Sequence, residues 1–100
     1  MVVMKLPNQI QILGEKYKLK LVNGLRFSGH IGLCDFKSKI IQLDAELKGD
    51  ELQQTLCHEL FHAVCYEGSL YQTISPDLEE VVVDLMAKSL IKNFNLRCKP

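Results

Sequence analysis

Two histidines, His58 and His62, stand four residues apart in the stretch TLCHELFHAVCYEG, and Glu59 follows the first of them. On an α-helix, residues four apart lie about 40° apart around the axis and one turn apart along it. Both imidazoles can therefore reach the same metal ion. Glu59 is rotated by about 100° from His58, so it is not a third ligand but can reach a water molecule at the metal. The pattern predicts a zinc site of the HExxH type.

A catalytic zinc ion needs a third protein ligand, and the next helical segment offers one. In LEEVVVDLM, Glu80 and Asp84 lie one turn apart on the same helix face. We assign Glu80 as the third ligand and Asp84 as the acceptor for the free ring N–H of a zinc-bound histidine. Glu79 is the competitor for the metal, but it lies about 100° away from Glu80 around the helix.

The alternative is that the HExxH letters occur by chance in an ordinary helix. The residues around the two histidines are apolar and favour burial, namely Leu56, Leu60, Phe61, Ala63 and Val64. Buried imidazoles without a metal would leave polar atoms to be satisfied. A zinc ion accounts for the histidines and the acidic residues together, and we therefore prefer the metal site.

The segments around this constellation predict the elements that position it. Apolar and polar residues alternate in QIQILGEKYKLKLV on both sides of Gly14-Glu15, which is typical of a half-buried antiparallel hairpin. A second hairpin is predicted from HIGLCD, a turn at FKSK, and IIQLD. His30, beside the third strand, is left outside the site because a lone strand histidine is more often a surface or packing residue.

The second half of the chain predicts two helices. Asp50 is the expected N-cap of a helix through about Tyr66, with Gly68 placed to end it. Ser75-Pro76-Asp77 predicts the start of the next helix. That helix continues to about Phe94 with a broad apolar face, formed by Leu78, Val82, Leu85, Met86, Leu90 and Phe94. The expected fold is α+β: one domain over residues 1–100, with a small antiparallel sheet of two hairpins followed by two packed helices.

Composition excludes several classes of function. Twelve basic and twelve acidic residues cancel, which argues against a protein that mainly binds the nucleic-acid backbone. No apolar run approaches the roughly 20 residues needed to span a bilayer. No secretory signal is present, so we expect a cytoplasmic protein without a membrane partner. The four cysteines, Cys34, Cys57, Cys65 and Cys98, lack CxxC spacing and are expected to be free thiols.

The stretches TLCHELFHAV and EEVVVDLMAKSL together resemble the gluzincin branch of zinc metallopeptidases, which combines HExxH with ExxxD on the next helix. From Leu13 to Asn93 the chain is similar to small phage and prophage proteins grouped with ImmA/IrrE-type metallopeptidases. In that group a GxxDxxxxxIxl-like hairpin, here Gly32 to Leu43, precedes the HExxH helix. The resemblance implies that zinc (Zn²⁺) is bound by His58, His62 and Glu80, with Glu59 as catalytic base and Asp84 behind the ligands.

The sequence departs from that family where the oxyanion of the reaction would be stabilised. Larger gluzincins use a histidine or tyrosine from a further C-terminal domain, and we expect no such domain within these 100 residues. Tyr66 and Tyr71 are the candidates for this role, against a purely structural role for each. The resemblance also implies that the HIGLC strand is a sheet edge beside the zinc, where Gly32 and Leu33 bind an extended substrate peptide.

Three functions are therefore to be compared. The preferred one is a zinc-dependent peptidase that hydrolyses a peptide bond in a protein substrate with Glu59 as general base. The second is a zinc-stabilised protein-binding module without catalysis, acting as a phage or host regulator. The third is a nucleic-acid-associated protease of the SprT kind, which the zero net charge disfavours. The substrate and the oligomeric state are left open by the sequence.

Overall fold

The computed structural model describes residues 6–94 of the chain, and the side chains of residues 6–90. Four strands come first: β1 (Gln9–Ile12), β2 (Glu15–Val22), β3 (Gly32–Asp35) and β4 (Ile40–Asp44). Two helices follow, α1 (Gly49–Glu67) and α2 (Pro76–Phe94), and short 3₁₀ turns lie at Leu25–Ser28 and Leu70–Gln72. The predicted α+β class is confirmed. Cys98 lies outside the described residues.

Both predicted hairpins are present. The β1–β2 turn consists of Leu13 and Gly14, whose φ angles of 49° and 88° are those of the tight turn that matches the twist of the flanking strands. In the β3–β4 turn, the Asp35 carboxylate accepts hydrogen bonds from the backbone N–H groups of Lys37 at 3.0 Å and Ser38 at 3.2 Å. A side-chain acceptor of this kind replaces the backbone partner that a turn lacks.

The two hairpins join into one sheet with the strand order β1-β2-β4-β3. The joining pair, β2 and β4, is parallel, with Lys18 opposite Ile40 and Val22 opposite Asp44. The sheet is therefore mixed, and the expected antiparallel pairing holds within each hairpin. Alternation and turn residues are local signals, whereas the pairing of β2 with β4 depends on contacts between distant parts of the chain. The order also places β3 at an edge of the sheet.

One face of this sheet packs against α1. Tyr17, Ile41 and Leu43 are fully buried, and they share a core cluster with Leu56 and Ala63 of α1. In β2 the intervening lysines point to the opposite, exposed face. The sheet is thus half-buried, as the period of two predicted. It holds α1 with its histidines at a fixed position above the strands.

The start of α1 differs from the prediction. The helix begins at Gly49, Lys48 occupies the N-cap position, and no side chain caps it by a hydrogen bond. Asp50 was expected to be the N-cap but lies inside the first turn, because Gly49 with its φ of 57° turns the chain into the helix earlier. A carboxylate in the first turn is still favourable beside the positive end of the helix dipole. The C-terminal end is as predicted, since the Gly68 N–H donates to Val64 O at 2.9 Å.

A charged network fastens the C-terminal end of α1 to the sheet. The Glu67 carboxylate accepts a hydrogen bond from the Tyr17 hydroxyl at 2.5 Å and one from the Lys39 ammonium at 2.9 Å. These donors, Lys39 first, hold the pKa of Glu67 below its usual range. The attachment of α1 to the strands is therefore both apolar and ionic.

Helix α2 begins where the sequence predicted, because the Leu78 N–H donates to Ser75 Oγ at 3.1 Å and Pro76 is the first helical residue. The helix packs on α1 through small side chains, Val83 and Ala87, which are buried. Of its predicted apolar face, the side chains Leu78, Val82, Leu85 and Met86 are exposed, Leu90 is half-buried, and the Phe94 side chain lies outside the described part. Neither helix, over the residues described, is long and apolar enough to cross a membrane.

Candidate metal centre

A cleft of about 680 Å³ lies between β3, α1 and α2. The segment from Gly29 to Cys34 forms one wall. The other walls carry Thr55 and most of the polar side chains that the sequence singled out, namely His58, Glu59 and His62 from α1 and Glu79, Glu80 and Asp84 from α2. The sheet and two helices therefore bring the predicted site residues to one place.

Three of these side chains converge on a point between the helices. One ring nitrogen each of His58 and His62 and one carboxylate oxygen of Glu80 all lie within 4.8 Å of one another. Glu80 bridges the histidines, with Oε1 at 2.8 Å from His58 Nε2 and Oε2 at 2.9 Å from His62 Nε2. The one-turn spacing of the histidines on α1 produces this convergence, as predicted.

The second ring nitrogen of each histidine faces another acid of α2. His62 Nδ1 lies 2.6 Å from Glu79 Oε2, whereas His58 Nδ1 is 3.7 Å from Asp84 Oδ1. Since a carboxylate only accepts hydrogen bonds, the short contact requires His62 Nδ1 to carry the proton. Glu79, considered from sequence only as a rival ligand, therefore orients His62. Each of the two histidines needs a carboxylate that accepts its second ring N–H, and the sequence spacing pointed to Asp84 alone. This requirement for a second acceptor is the signal that could have identified Glu79.

This arrangement makes the centre a place for a cation. His62 Nε2 lies 3.2 Å from His58 Nε2 and 2.9 Å from Oε2 of the Glu80 carboxylate. Electron-rich atoms that face one another at this distance repel unless a proton or a metal ion lies between them. Two imidazoles and one carboxylate are also a common ligand set for divalent transition metals. The residues present therefore fit a metal ion.

Glu59 lies beside this centre and is largely withdrawn from solvent, with 9% of its surface exposed. Burial raises the pKa of its carboxyl group, and the nearby His58 and His62 partly oppose the shift. An isolated carboxylate in such a place is available to exchange protons. It is the arrangement that a general base requires.

Gly32 allows β3 to approach α1 closely. A Cβ atom at this position would lie 2.8 Å from Thr55 Cγ2 and 3.1 Å from Glu59 Oε2, closer than ordinary van der Waals contact. From the sequence, Gly32 was expected to make room for a substrate backbone. In the structure, Thr55 and Glu59 occupy the room that its missing side chain leaves, so this glycine positions the carboxylate.

The free edge of β3 can be assigned from its pairing with β4. The Asp44 N–H donates to Ile31 O at 2.9 Å, so Ile31 and Asp44 form a hydrogen-bonded pair. In an antiparallel ladder, every second pair is hydrogen-bonded. The main-chain groups of Leu33 and Asp35 therefore also point towards β4. Gly32 and Cys34 direct theirs away from the sheet. The substrate contact expected at Gly32 and Leu33 stays a prediction, and the outward main-chain groups of this edge belong to Gly32 and Cys34.

The cysteine at this edge is not a nucleophile. Burial raises the pKa of the Cys34 thiol to about 12, and the charge of Glu59 adds to the shift. A thiol of this kind stays protonated and unreactive near neutral pH. Among the described residues, Cys34, Cys57 and Cys65 are not joined in a disulfide, as the sequence predicted.

The two tyrosines considered for oxyanion stabilisation are not among the residues that line the cleft. Tyr66 stacks between Phe36, with ring centroids 4.6 Å apart, and Tyr71, with centroids 5.3 Å apart. Their rings are nearly parallel, which is a packing arrangement. Of the two roles weighed from sequence, the structure favours the structural one for Tyr66 and Tyr71.

His30, which was not expected at the site, lines the cleft, and its proximity partly opposes the rise in the pKa of Glu59. The segment that carries it follows the first 3₁₀ turn, which is anchored by an ion pair between Arg26 and the fully buried carboxylate of Asp44. Hydrogen bonding by Arg26 lowers the pKa of Asp44. No local sequence signal marks His30, because its place depends on how this turn packs against β4.

Searches of family models, of curated proteins and of solved structures each found no match to this chain. The chemical interpretation of the cleft therefore depends on its own geometry. That geometry is two histidines and a glutamate directed at one point, a buried carboxylate beside them, and an unpaired strand edge along one wall.

Proposed function

We propose that this protein is a zinc-dependent peptidase that hydrolyses a peptide bond in a protein substrate. The observation that carries the proposal is the convergence of His58, His62 and Glu80 within 4.8 Å, with the buried carboxylate of Glu59 beside them. Two imidazoles and one carboxylate are a known ligand set of catalytic zinc, one that leaves a coordination position for water. The resemblance to gluzincins and to ImmA/IrrE-type proteins agrees with this choice of metal.

Each residue has a distinct task in this function. His58, His62 and Glu80 would hold the zinc ion, which when bound would lower the pKa of a water molecule to about 7 and polarise a substrate carbonyl. Glu79 keeps the ring of His62 in the tautomer that presents Nε2 to the centre. Glu59 accepts the proton of the attacking water and returns it to the amine nitrogen that leaves. The burial that raises the pKa of Glu59 makes it a stronger base for this transfer.

The edge of β3 supports an extended peptide as the substrate. Its unpaired main-chain groups at Gly32 and Cys34 can bind a further strand by backbone hydrogen bonds. Leu33 lies between them and lines both the metal cleft and a second cleft of about 520 Å³ beside Phe36 and Tyr66. A bound strand would thus extend from the catalytic carboxylate into a partly apolar groove.

One observation favours a second candidate, a zinc-stabilised binding module without catalysis. Tyr66 and Tyr71 are stacked and neither lines the cleft, so their positions do not support a role in oxyanion stabilisation. Among the residues lining the cleft, His30 and Gln54 carry side-chain donors that could replace them. The same metal cluster and strand edge would serve a module that binds a peptide and does not cut it.

The first experiment measures metal content and hydrolysis on the tag-free protein. We expect one zinc ion per chain, with zinc largely lost in Glu80→Ala and retained in Asp77→Ala, an exposed acid of the same helix. Hydrolysis of a library of unstructured peptides, followed by mass spectrometry, then separates the candidates. Glu59→Gln is expected to retain zinc and to lose about 10²–10⁴-fold in rate.

Each outcome decides between the candidates. A protein without zinc contradicts both of them. Zinc without hydrolysis in the unmodified chain favours the binding module. Undiminished turnover in Glu59→Gln would show that this carboxylate is not the base.

A further inference from the structure

The face of α2 that points away from α1 is apolar. It carries five exposed side chains spaced three or four residues apart, and we call this set the outer face: Leu78, Val81, Val82, Leu85 and Met86. On a helix these positions cover about 140° of the circumference. Leu85 is 61% exposed and Val81 is 56% exposed. A helix normally buries an apolar stripe of this width.

Exposed apolar residues elsewhere are not grouped in this way. The other exposed apolar side chains of the described residues are spread over turns, strands, 3₁₀ turns and one position of α1, namely Leu13, Leu21, Phe27, Ile31, Val64, Leu70 and Tyr71. Single exposed apolar side chains are normal on a protein surface, whereas a contiguous patch marks an interaction surface. The outer face is therefore expected to be covered by a partner.

The charges that border the outer face identify the kind of partner. Asp77 and Lys88 are eleven residues apart, which is close to three full turns, so they lie within about 20° of each other along one border. The negative charge is near the N-terminal end of the helix and the positive charge is towards its C-terminal half. When two copies of α2 pack antiparallel, this border meets itself, and Asp77 of each copy faces Lys88 of the other.

The apolar residues fit the same arrangement. With Asp77 opposite Lys88, the valines Val81 and Val82 of one copy lie beside Leu85 of the other. A parallel pair would instead bring this border against the opposite border of the second helix, where the charges do not match. The pattern is therefore complementary to itself in the antiparallel direction.

We propose that this protein forms a symmetric dimer in which the outer faces of two α2 helices pack antiparallel. The metal cleft lies on the other side of α2, so the dimer leaves it open in both copies. The proposal does not depend on the proposed peptidase function. Its test measures the mass of the protein and is separate from the measurements of zinc and of hydrolysis.

The first test is the mass of the full chain by sedimentation equilibrium, from micromolar to millimolar concentration. A dimer is expected, and Leu85→Glu is expected to raise its dissociation constant by about 100-fold. The matched control is Leu21→Glu, which changes an exposed leucine of β2 in the same way and should leave the dimer intact. Circular dichroism establishes that both variants are folded. A monomer at every concentration, or a dimer that Leu85→Glu leaves intact, would overturn the proposal.

The second test determines the direction of the helices. Asp77→Lys and Lys88→Glu are each expected to weaken the dimer about three- to fivefold, because each places like charges opposite one another. The double variant restores opposite charges and should recover most of the loss. Lys88 also pairs with Asp84 in its own chain at 2.7 Å. Lys88→Glu and the double variant both lose this pair, so its loss cancels when the two are compared. A double variant as weak as the worse single one would rule out the antiparallel arrangement.

Discussion

The two faces of α2 have the reverse of the usual polarity. The face towards α1 carries Glu79, Glu80 and Asp84, and its buried apolar side chains are the small Val83 and Ala87. The face towards solvent carries larger apolar side chains, of which Leu85 is the most exposed. Surface helices of globular proteins place these types the other way round.

This difference shows that the rotation of α2 about its axis is set by chemistry as well as by burial. The acids of the inner face contact the two histidines of α1 at hydrogen-bonding distance. Turning the helix to bury Leu85 would remove those contacts. The attachment of α2 thus depends on polar partners, while α1 is held to the sheet by a large apolar core.

The largest expected effect is that of metal removal on the two helices. With zinc at 1,000 times its dissociation constant, binding stabilises the native state by about 4 kcal/mol. Because the metal ligands join α1 to α2, a chelator should release α2 and leave the sheet and its contact with α1 formed. Hydrogen exchange is the measurement, and the amides of residues 76–90 should lose protection first. An equal loss of amide protection in α2, α1 and the sheet would contradict the conclusion that α2 is held by polar contacts and α1 by the apolar core.

An intermediate effect is expected from the acids behind the histidines. Glu79→Ala should weaken zinc binding by about 10- to 100-fold, because His62 loses the acceptor that fixes its ring. Asp84→Ala should cost less than about tenfold, since its oxygen is 3.7 Å from His58 Nδ1. Competition with a chromophoric chelator measures both affinities. Glu79→Gln keeps an acceptor oxygen and serves as the control, and a larger loss in Asp84→Ala would reverse the assigned order.

The smallest expected effect is the loss of stability in acid that comes from Glu67, at the end of α1 that contacts the sheet. Hydrogen bonds from Lys39 and Tyr17 lower the pKa of Glu67, so its contribution to stability is present above the unfolded value of about 4.3 and is lost as the pH falls through the lower folded pKa. Tyr17→Phe removes one donor and should reduce this pH dependence. Urea unfolding in chelator, between pH 7 and 3, measures it without interference from the metal. A Tyr17→Phe protein with the same acid dependence as the unmodified chain would show that this hydrogen bond is unimportant.

Much of the local structure could be predicted from the sequence. The alternation in the first half gave both hairpins, and Ser75-Pro76 marked the start of α2. The spacing of His58 and His62, together with Glu80, was enough to predict the convergence on one point. These features depend on periods of two and 3.6 residues, which are local properties of the chain.

The remaining features depend on contacts between distant segments. The parallel pairing of β2 with β4 decides that β3 is the edge, and a register one residue different would exchange its free and bonded main-chain groups. The roles of Glu79 and His30 follow from the rotation of α2 and the packing of the loop before β3. The prediction of Asp50 as the N-cap is wrong because the chain turns into α1 one residue earlier, at Gly49, through a positive φ.

The parallel pair of β2 and β4 also has a consequence for the order in which the site assembles. Its strands are separated in sequence by the first 3₁₀ turn and β3, so their pairing is a slow, non-local step compared with the formation of a helix. Once this pair and α1 are in place, His58 and His62 are already fixed against the sheet. Glu80 lies on α2, the last element of the described chain, and we expect this helix to dock last. The expected sequence of events is therefore that the growing chain presents a two-histidine site first, and that capture of the metal is completed by the closure of α2.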